Sequence, residues 1–247
     1  MRRLLEKEYA MRPTDFDKFS HIKPSAVLEL FQDAAGQHSE EIGVGFEAML
    51  ERSYLWVLTR IKFKVLHCST SCQKVIIKTW PLVPNRFNYR REYCIENENG
   101  EKLIIGSSDW VVVHSEKRQL LSVPDLYSFS DGFHSKKMFE ERIAKIQDFE
   151  AEGTPYVVTA GFSDMDTNDH VNNTKYANYV LDAINPSKSD ELEIFQIDYR
   201  KEVLQGTQLK IYHIKEENLI TAKGQNQNGD TMFICKLEYK KIGENAL

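Results

Sequence analysis

Cysteine is scarce in this chain, with four thiols at Cys68, Cys72, Cys94 and Cys235. Cys68 and Cys72 have no second close pair to complete a four-ligand zinc site. Long apolar runs are missing, and no stretch nears the roughly 18 residues that a membrane helix needs. Positive charge is in deficit: 32 Lys and Arg stand against 37 Asp and Glu, for a net charge of −5. That excludes nucleic acid as a bulk electrostatic partner. An apolar leader is also missing, because Met1-Arg2-Arg3-Leu4-Leu5-Glu6-Lys7-Glu8 carries charges where a signal peptide needs apolar residues. The expected location is cytoplasmic, with reduced thiols. What remains is an ordinary globular composition, 41% hydrophobic and 28% charged. The 247 residues suffice for one large domain or two small ones.

The chain repeats one order of elements. Val27, Leu28, Phe31, Ala34 and Ala35 form a helical stripe over 26–38, and Tyr176, Tyr179, Val180, Ala183 and Ile184 form another over 174–184. Phe31-Gln32-Asp33-Ala34-Ala35 aligns with Val180-Leu181-Asp182-Ala183-Ile184. Each stripe is followed by strand-like runs, 55–66 and 75–80 in the first half, 192–204 and 209–214 in the second. Each half then has a hairpin signal, Asn97-Glu98-Asn99-Gly100 and Asn226-Gln227-Asn228-Gly229. The segment 124–153 changes texture. Within it, Met138, Phe139, Ile143 and Ile146 predict an outer connecting helix over 135–150. The expected fold class is α+β, a tandem (double) hot-dog fold in which each unit is a long helix wrapped by a bent antiparallel sheet. The first unit spans 1–125, a linker with the connecting helix 126–153, and the second unit 154–247.

Chemistry concentrates in Ser163-Asp164-Met165-Asp166-Thr167-Asn168-Asp169-His170-Val171-Asn172-Asn173. A carboxylate, an amide and an imidazole recur at every second position: Asp166, Asn168 and His170. In an extended segment these side chains share one side. They precede a helix, whose free N–H groups and dipole favour developing negative charge. Asn172 and Asn173 are good N-cap residues. Asp164-x-Asp166-x-Asn168 begins like a calcium loop, but Asp169 and Lys175 stand where such a loop wants Gly and Glu. The first half shows no counterpart to the Asp-x-Asn-x-His set.

The run from Ser163 to Tyr176 resembles the signature of acyl-acyl carrier protein thioesterases, the plant FatA and FatB type and their bacterial relatives. Tyr199-Arg200-Lys201-Glu202, read as part of the strand after the second helix, is the second match. The resemblance covers most of the chain. It implies catalytic roles for Asp166, Asn168, His170 and Glu202, and acyl carrier protein with a phosphopantetheine-linked acyl chain as partner. No cofactor, metal, nucleic acid or membrane is implied, and a homodimer is left open. In this picture Glu202 or His170 is the general base, and Asn168 and His170 orient water or the carbonyl. Asp166 fixes the histidine tautomer, and helix N–H groups polarise the carbonyl. Plant members often carry a cysteine after the glutamate; here Val203 stands there, which favours water as nucleophile. The first unit is expected to supply the acyl pocket, with Val27, Leu30, Phe31, Trp56 and Trp80 as candidates. Arg86, Arg90 and Arg91, with Lys136, Lys137, Arg142 and Lys175, are candidates for docking an acidic carrier. An acyl-CoA thioesterase and a non-catalytic acyl-binding protein are the alternatives.

Overall fold

A computed structural model describes residues 3–71, 73–123, 125–126, 129 and 132–240. Cys72 and the Pro124 boundary lie outside the described residues. The order is β1 Leu5–Ala10, α1 Pro24–Glu41, α2 Phe46–Glu51, β2 Tyr54–Val65, β3 Lys74–Pro81, β4 Tyr89–Asn97, β5 Lys102–His114 and β6 Leu120–Leu121. Then follow β7 Tyr156–Thr159, α3 Lys175–Ile184, β8 Leu192–Tyr199, β9 Gln208–Glu216, β10 Leu219–Gln225 and β11 Thr231–Tyr239. Two compact units result, Met1–Pro13 with Glu29–Ile143 and Thr14–Leu28 with Ala144–Leu247. The division at 143/144 falls inside the segment expected as a linker.

In the first unit the antiparallel order is β1-β3-β4-β5-β2. Of the apolar stripe of α1, this unit holds Phe31, Ala34 and Ala35, all buried. Val27 and Phe31 are fully buried, and the Phe31 ring stacks on Tyr93 at 4.3 Å. That approach requires Gly106 on β5, where a Cβ would meet the Phe31 ring at 2.2 Å. Of the candidate pocket residues, Val27, Leu30, Phe31 and Trp80 are all packed as core. In the second unit the antiparallel order is β8-β11-β10-β9-β7, with α3 lying against β7 and β9. Both hairpins form as the Asn-Gly signals predict. The Asn97 side chain accepts from the Asn99 and Glu101 N–H groups, both at 3.0 Å. Asn226 does the same with Asn228 and Asp230, at 3.0 and 2.9 Å. The closing Gly100 and Gly229 both take φ of 80°, which glycine adopts without a Cβ clash. Among the described residues, no helix is long and apolar enough to cross a membrane.

The connecting helix does not form. Residues 132–155 form neither helix nor strand, and side chains from distant strands take the backbone groups a helix would need. In the first unit Trp80 Nε1 donates to the Lys136 carbonyl at 2.8 Å, and Arg90 donates to those of Phe139 and Glu141 at 2.6 and 3.2 Å. Glu92, fully buried, accepts the Met138 N–H at 2.8 Å, and Arg60 donates to the Ile143 carbonyl at 2.8 Å. In the second unit Gln196, Asp198 and Arg200 share one face of β8 and its continuation, by the two-residue period. They bind the Ala144 carbonyl at 2.7 Å, the Ile146 N–H at 2.9 Å and the Ile146 carbonyl at 3.1 Å. The buried Lys223 closes the series on Asp148 and the Phe149 carbonyl. Ile143 and Ile146 of this strap are buried.

Asp198 is 2% exposed and accepts from both Ile146 N–H and Gln196. Its removal leaves buried donors unsatisfied, at about 1–3 kcal/mol for each group. We expect Asp198→Ala to lower stability by about 3 kcal/mol and Asp198→Asn by less. Urea unfolding, read from the midpoint at constant slope, measures this.

Candidate active site

Asp166, Asn168 and His170 do not lie on a strand. The segment closes on itself. The Asp166 N–H donates to the His170 carbonyl at 2.8 Å, and the Asp169 N–H to the Asp166 carbonyl at 3.2 Å. Asp169 takes a positive φ of 59° to complete the turn. The Asp166 carboxylate points inward, accepting the Asn168 N–H at 2.8 Å and, more weakly, the His170 N–H at 3.4 Å. It therefore holds the turn rather than the imidazole ring. Alternating polar residues mislead here, because an aspartate beside its own backbone offers an Asx turn in place of a ladder. Asn168 is left exposed at the tip.

His170 is brought to Glu202, with Nε2 and a carboxylate oxygen 3.1 Å apart. Glu202 is not on a strand either. β8 ends at Tyr199, and the Arg200 and Lys201 N–H groups both turn to the Met232 carbonyl, at 2.8 and 3.1 Å. The next residue, Val203, is fully buried, and its carbonyl accepts the Val171 N–H at 2.8 Å. The imidazole retains 24% and the carboxylate 48% exposure, so water reaches both.

The helix start is also different from the expectation. α3 begins at Lys175, and Asn172 spends its side chain on the Thr174 N–H at 3.0 Å and the Thr174 hydroxyl at 2.9 Å. Its carbonyl takes the Lys175 N–H at 2.9 Å. Two N–H groups expected to polarise a carbonyl are thus already engaged.

Two tyrosines that sequence reasoning missed stand behind the pair. Tyr199 donates its hydroxyl to the Asn173 carbonyl at 2.7 Å. Tyr176, 3% exposed, packs its ring 5.6 Å from that of Tyr199. Burial pushes the Tyr176 hydroxyl to a higher pKa. A Val203 backbone hydrogen bond opposes this, and the neighbouring Asp166 and Glu202 charges add to it. Among the described residues, no group of three or more His, Cys, Asp or Glu side chains is placed to hold a metal ion.

The first half does carry a copy of this loop. The alignment that pairs Phe31 with Val180 places Asp15, Asp17 and His21 on Asp164, Asp166 and His170. The Asp17 N–H donates to the His21 carbonyl at 2.8 Å, as Asp166 does to His170. The Asp17 carboxylate accepts the Phe19 and His21 N–H groups at 2.8 and 2.9 Å. Ser20, at φ 68°, stands for Asp169. Phe19 replaces Asn168, which hid the copy from a search for Asp-x-Asn-x-His.

Two of the three arginines proposed for docking are committed elsewhere. Arg91 is 7% exposed and bonds His38 at 2.9 Å. Arg90 pairs with Glu92 at 2.6 Å while holding the strap.

Residues 3–128 match the family model described as the acyl-ACP thioesterase N-terminal domain, and residues 149–241 match that of the C-terminal domain. The chain belongs to the acyl-ACP thioesterase family. A chloroplastic palmitoyl-acyl carrier protein thioesterase of Gossypium hirsutum is 29% identical over 193 residues, 71% of this chain and 46% of that protein. A chloroplastic dodecanoyl-[acyl-carrier-protein] hydrolase of Umbellularia californica is 26% identical over 200 residues, 75% of this chain and 52% of that protein. The chain spans about half the length of the curated relatives it matches. A crystal structure of an acyl-ACP thioesterase from Bacteroides thetaiotaomicron superposes with a TM-score of 0.88 at 20% identity, covering 96% of this chain and 98% of that one. The 12:0-ACP thioesterase from Umbellularia californica gives 0.85 at 21%, covering 97% and 98%. At these identities the likeness is one of fold, the double hot-dog arrangement of this family.

Cys94 and Cys235 stand apart from this site in chemistry. Burial pushes Cys94 up to about 12, with the Glu96 charge adding to the effect, and burial pushes Cys235 up as well. A thiol held protonated is a poor nucleophile. We expect Cys94→Ser to leave turnover near wild type. Alkylation of the folded protein at neutral pH should label exposed Cys68 and spare Cys94 and Cys235, as read by peptide mass spectrometry.

Proposed function

We propose that this chain hydrolyses the thioester of acyl-acyl carrier protein, releasing free fatty acid and ending chain elongation. Family membership in both halves supports the reaction class. The observation that carries the reading for this chain is the 3.1 Å contact of His170 with Glu202, brought together from two separate segments.

In the proposed reaction Glu202 removes a proton from a water molecule whose oxygen attacks the thioester carbon. His170, hydrogen-bonded to Glu202, holds that carboxylate and the water in line. Asn168, exposed at the turn tip, offers its amide N–H to the carbonyl oxygen as negative charge develops there. Asp166 fixes the turn that presents both. The tetrahedral adduct collapses with cleavage of the C–S bond. The proton held by Glu202 passes to the departing thiolate, so that water is consumed and a thiol and an acid are released. The acyl carrier protein is the proposed partner, and Arg86, the exposed member of the original cluster, remains a candidate contact.

The test is release of thiol and free acid from a chain-length series presented on acyl carrier protein and on coenzyme A. Turnover favouring the carrier protein is expected. Glu202→Ala and His170→Ala should each lower kcat by about two to four orders of magnitude with the fold intact. Turnover favouring coenzyme A would retain the chemistry and change the carrier. Saturable acyl binding without turnover on either carrier would replace hydrolysis by binding.

A further inference from the structure

We infer that Tyr199 is a positioning residue, whose hydroxyl bond to the Asn173 carbonyl sets the distance between His170 and Glu202. This rests on the hydrolytic reading of the site above. The two copies of the aspartate–histidine loop supply an internal control. Both close by the same backbone bonds and both anchor their aspartate on the same N–H positions. Their histidines nevertheless differ. His21 lies 3.8 Å from Asp17, a carboxylate of its own loop. His170 lies 3.1 Å from Glu202, a carboxylate delivered by another segment. The loop alone therefore does not create the pair; what is docked against it does.

Beside the Tyr176 hydroxyl bond to the Val203 backbone, two hydrogen bonds perform that docking. One is Val171 N–H to Val203 carbonyl at 2.8 Å, which any pair of non-proline residues could make. The other is Tyr199 hydroxyl to Asn173 carbonyl at 2.7 Å, which needs this side chain. They bracket Glu202 and follow closely on His170. His170 precedes Val171 and Asn173, and Glu202 sits between Tyr199 and Val203. Residues 200–202 have left the β8 ladder, so Glu202 rides on a short bridge between these anchors. In the first copy Pro24, the first residue of α1, occupies the place of Asn173.

Tyr199→Phe removes the anchor and keeps the ring against Tyr176. A misplacement on the order of 1 Å can cost about 100-fold, so we expect kcat to fall about 10- to 100-fold. KM should change by less than about two-fold, since ground-state binding is untouched. A second readout is independent of turnover. In the free protein, the His170 imidazole resonance, assigned by its loss in His170→Gln, should move in Tyr199→Phe as Nε2 loses its carboxylate neighbour. An unchanged resonance overturns the proposal, whatever the kinetics. So does a variant with lowered thermal stability and wild-type kcat, which would mark a purely structural tyrosine. If the wild type turns over neither carrier, the hydrolytic reading fails, and the resonance alone decides the positioning role.

Discussion

The backbone hydrogen bond from Val171 to the Val203 carbonyl joins two segments that belong to no strand ladder. The proposed pairing of His170 with Glu202 depends on that junction. On one side, Asp166 folds its own backbone into a closed turn and leaves His170 at the exit. On the other, β8 releases its last residues onto the Met232 carbonyl and leaves Glu202 projecting. Val171 is 2% exposed and Val203 is fully buried, so the joining bond lies among apolar atoms. A hydrogen bond in such surroundings is stronger than one in water, and its loss is correspondingly costly. The proposed site is positioned by buried backbone, while His170 and Glu202 keep access to water.

The strap over 132–155 obeys the same accounting. A segment outside helix and ladder must satisfy its N–H and C=O groups somewhere. Here the partners are long polar side chains rising from the strands: Trp80, Arg90 and Glu92 in the first unit, Gln196, Asp198, Arg200 and Lys223 in the second. These residues look like a solvated charged face when each strand is considered alone. Their function in the fold is to hold a backbone that has no ladder of its own. The basic residues considered for carrier recognition are partly consumed by this task, which narrows where an acidic partner could dock.

Much of the architecture was legible in local pattern. The stripes around Phe31 and Val180 became α1 and α3, since a 3.6-residue period has one dominant solution beside a sheet. Both Asn-Gly signals became hairpins, because a side-chain acceptor and a glycine at positive φ determine the turn locally. Features set by distant partners were not legible. Met138, Phe139, Ile143 and Ile146 suggested a helix, and nothing nearby in sequence announced that Glu92 and Asp198 would claim its backbone. At the site, the residues named from the motif are present, but their arrangement was misjudged. Asp166 binds backbone instead of the imidazole, and Glu202 lies beyond the strand end. The copy at Asp17 and His21 was within reach of the alignment already made for the helices, and Phe19 concealed it.

The central claim is that His170 and Glu202 act as one unit. A double-mutant cycle in hydrolysis of an acyl-acyl carrier protein substrate tests it most directly, using His170→Ala, Glu202→Gln and the double variant. Residues acting as a unit are strongly non-additive, so the double variant should be no more than about three-fold slower than the slower single variant. Multiplication of the two single losses in the double variant, with each protein folded, would contradict the account and assign the two side chains separate roles.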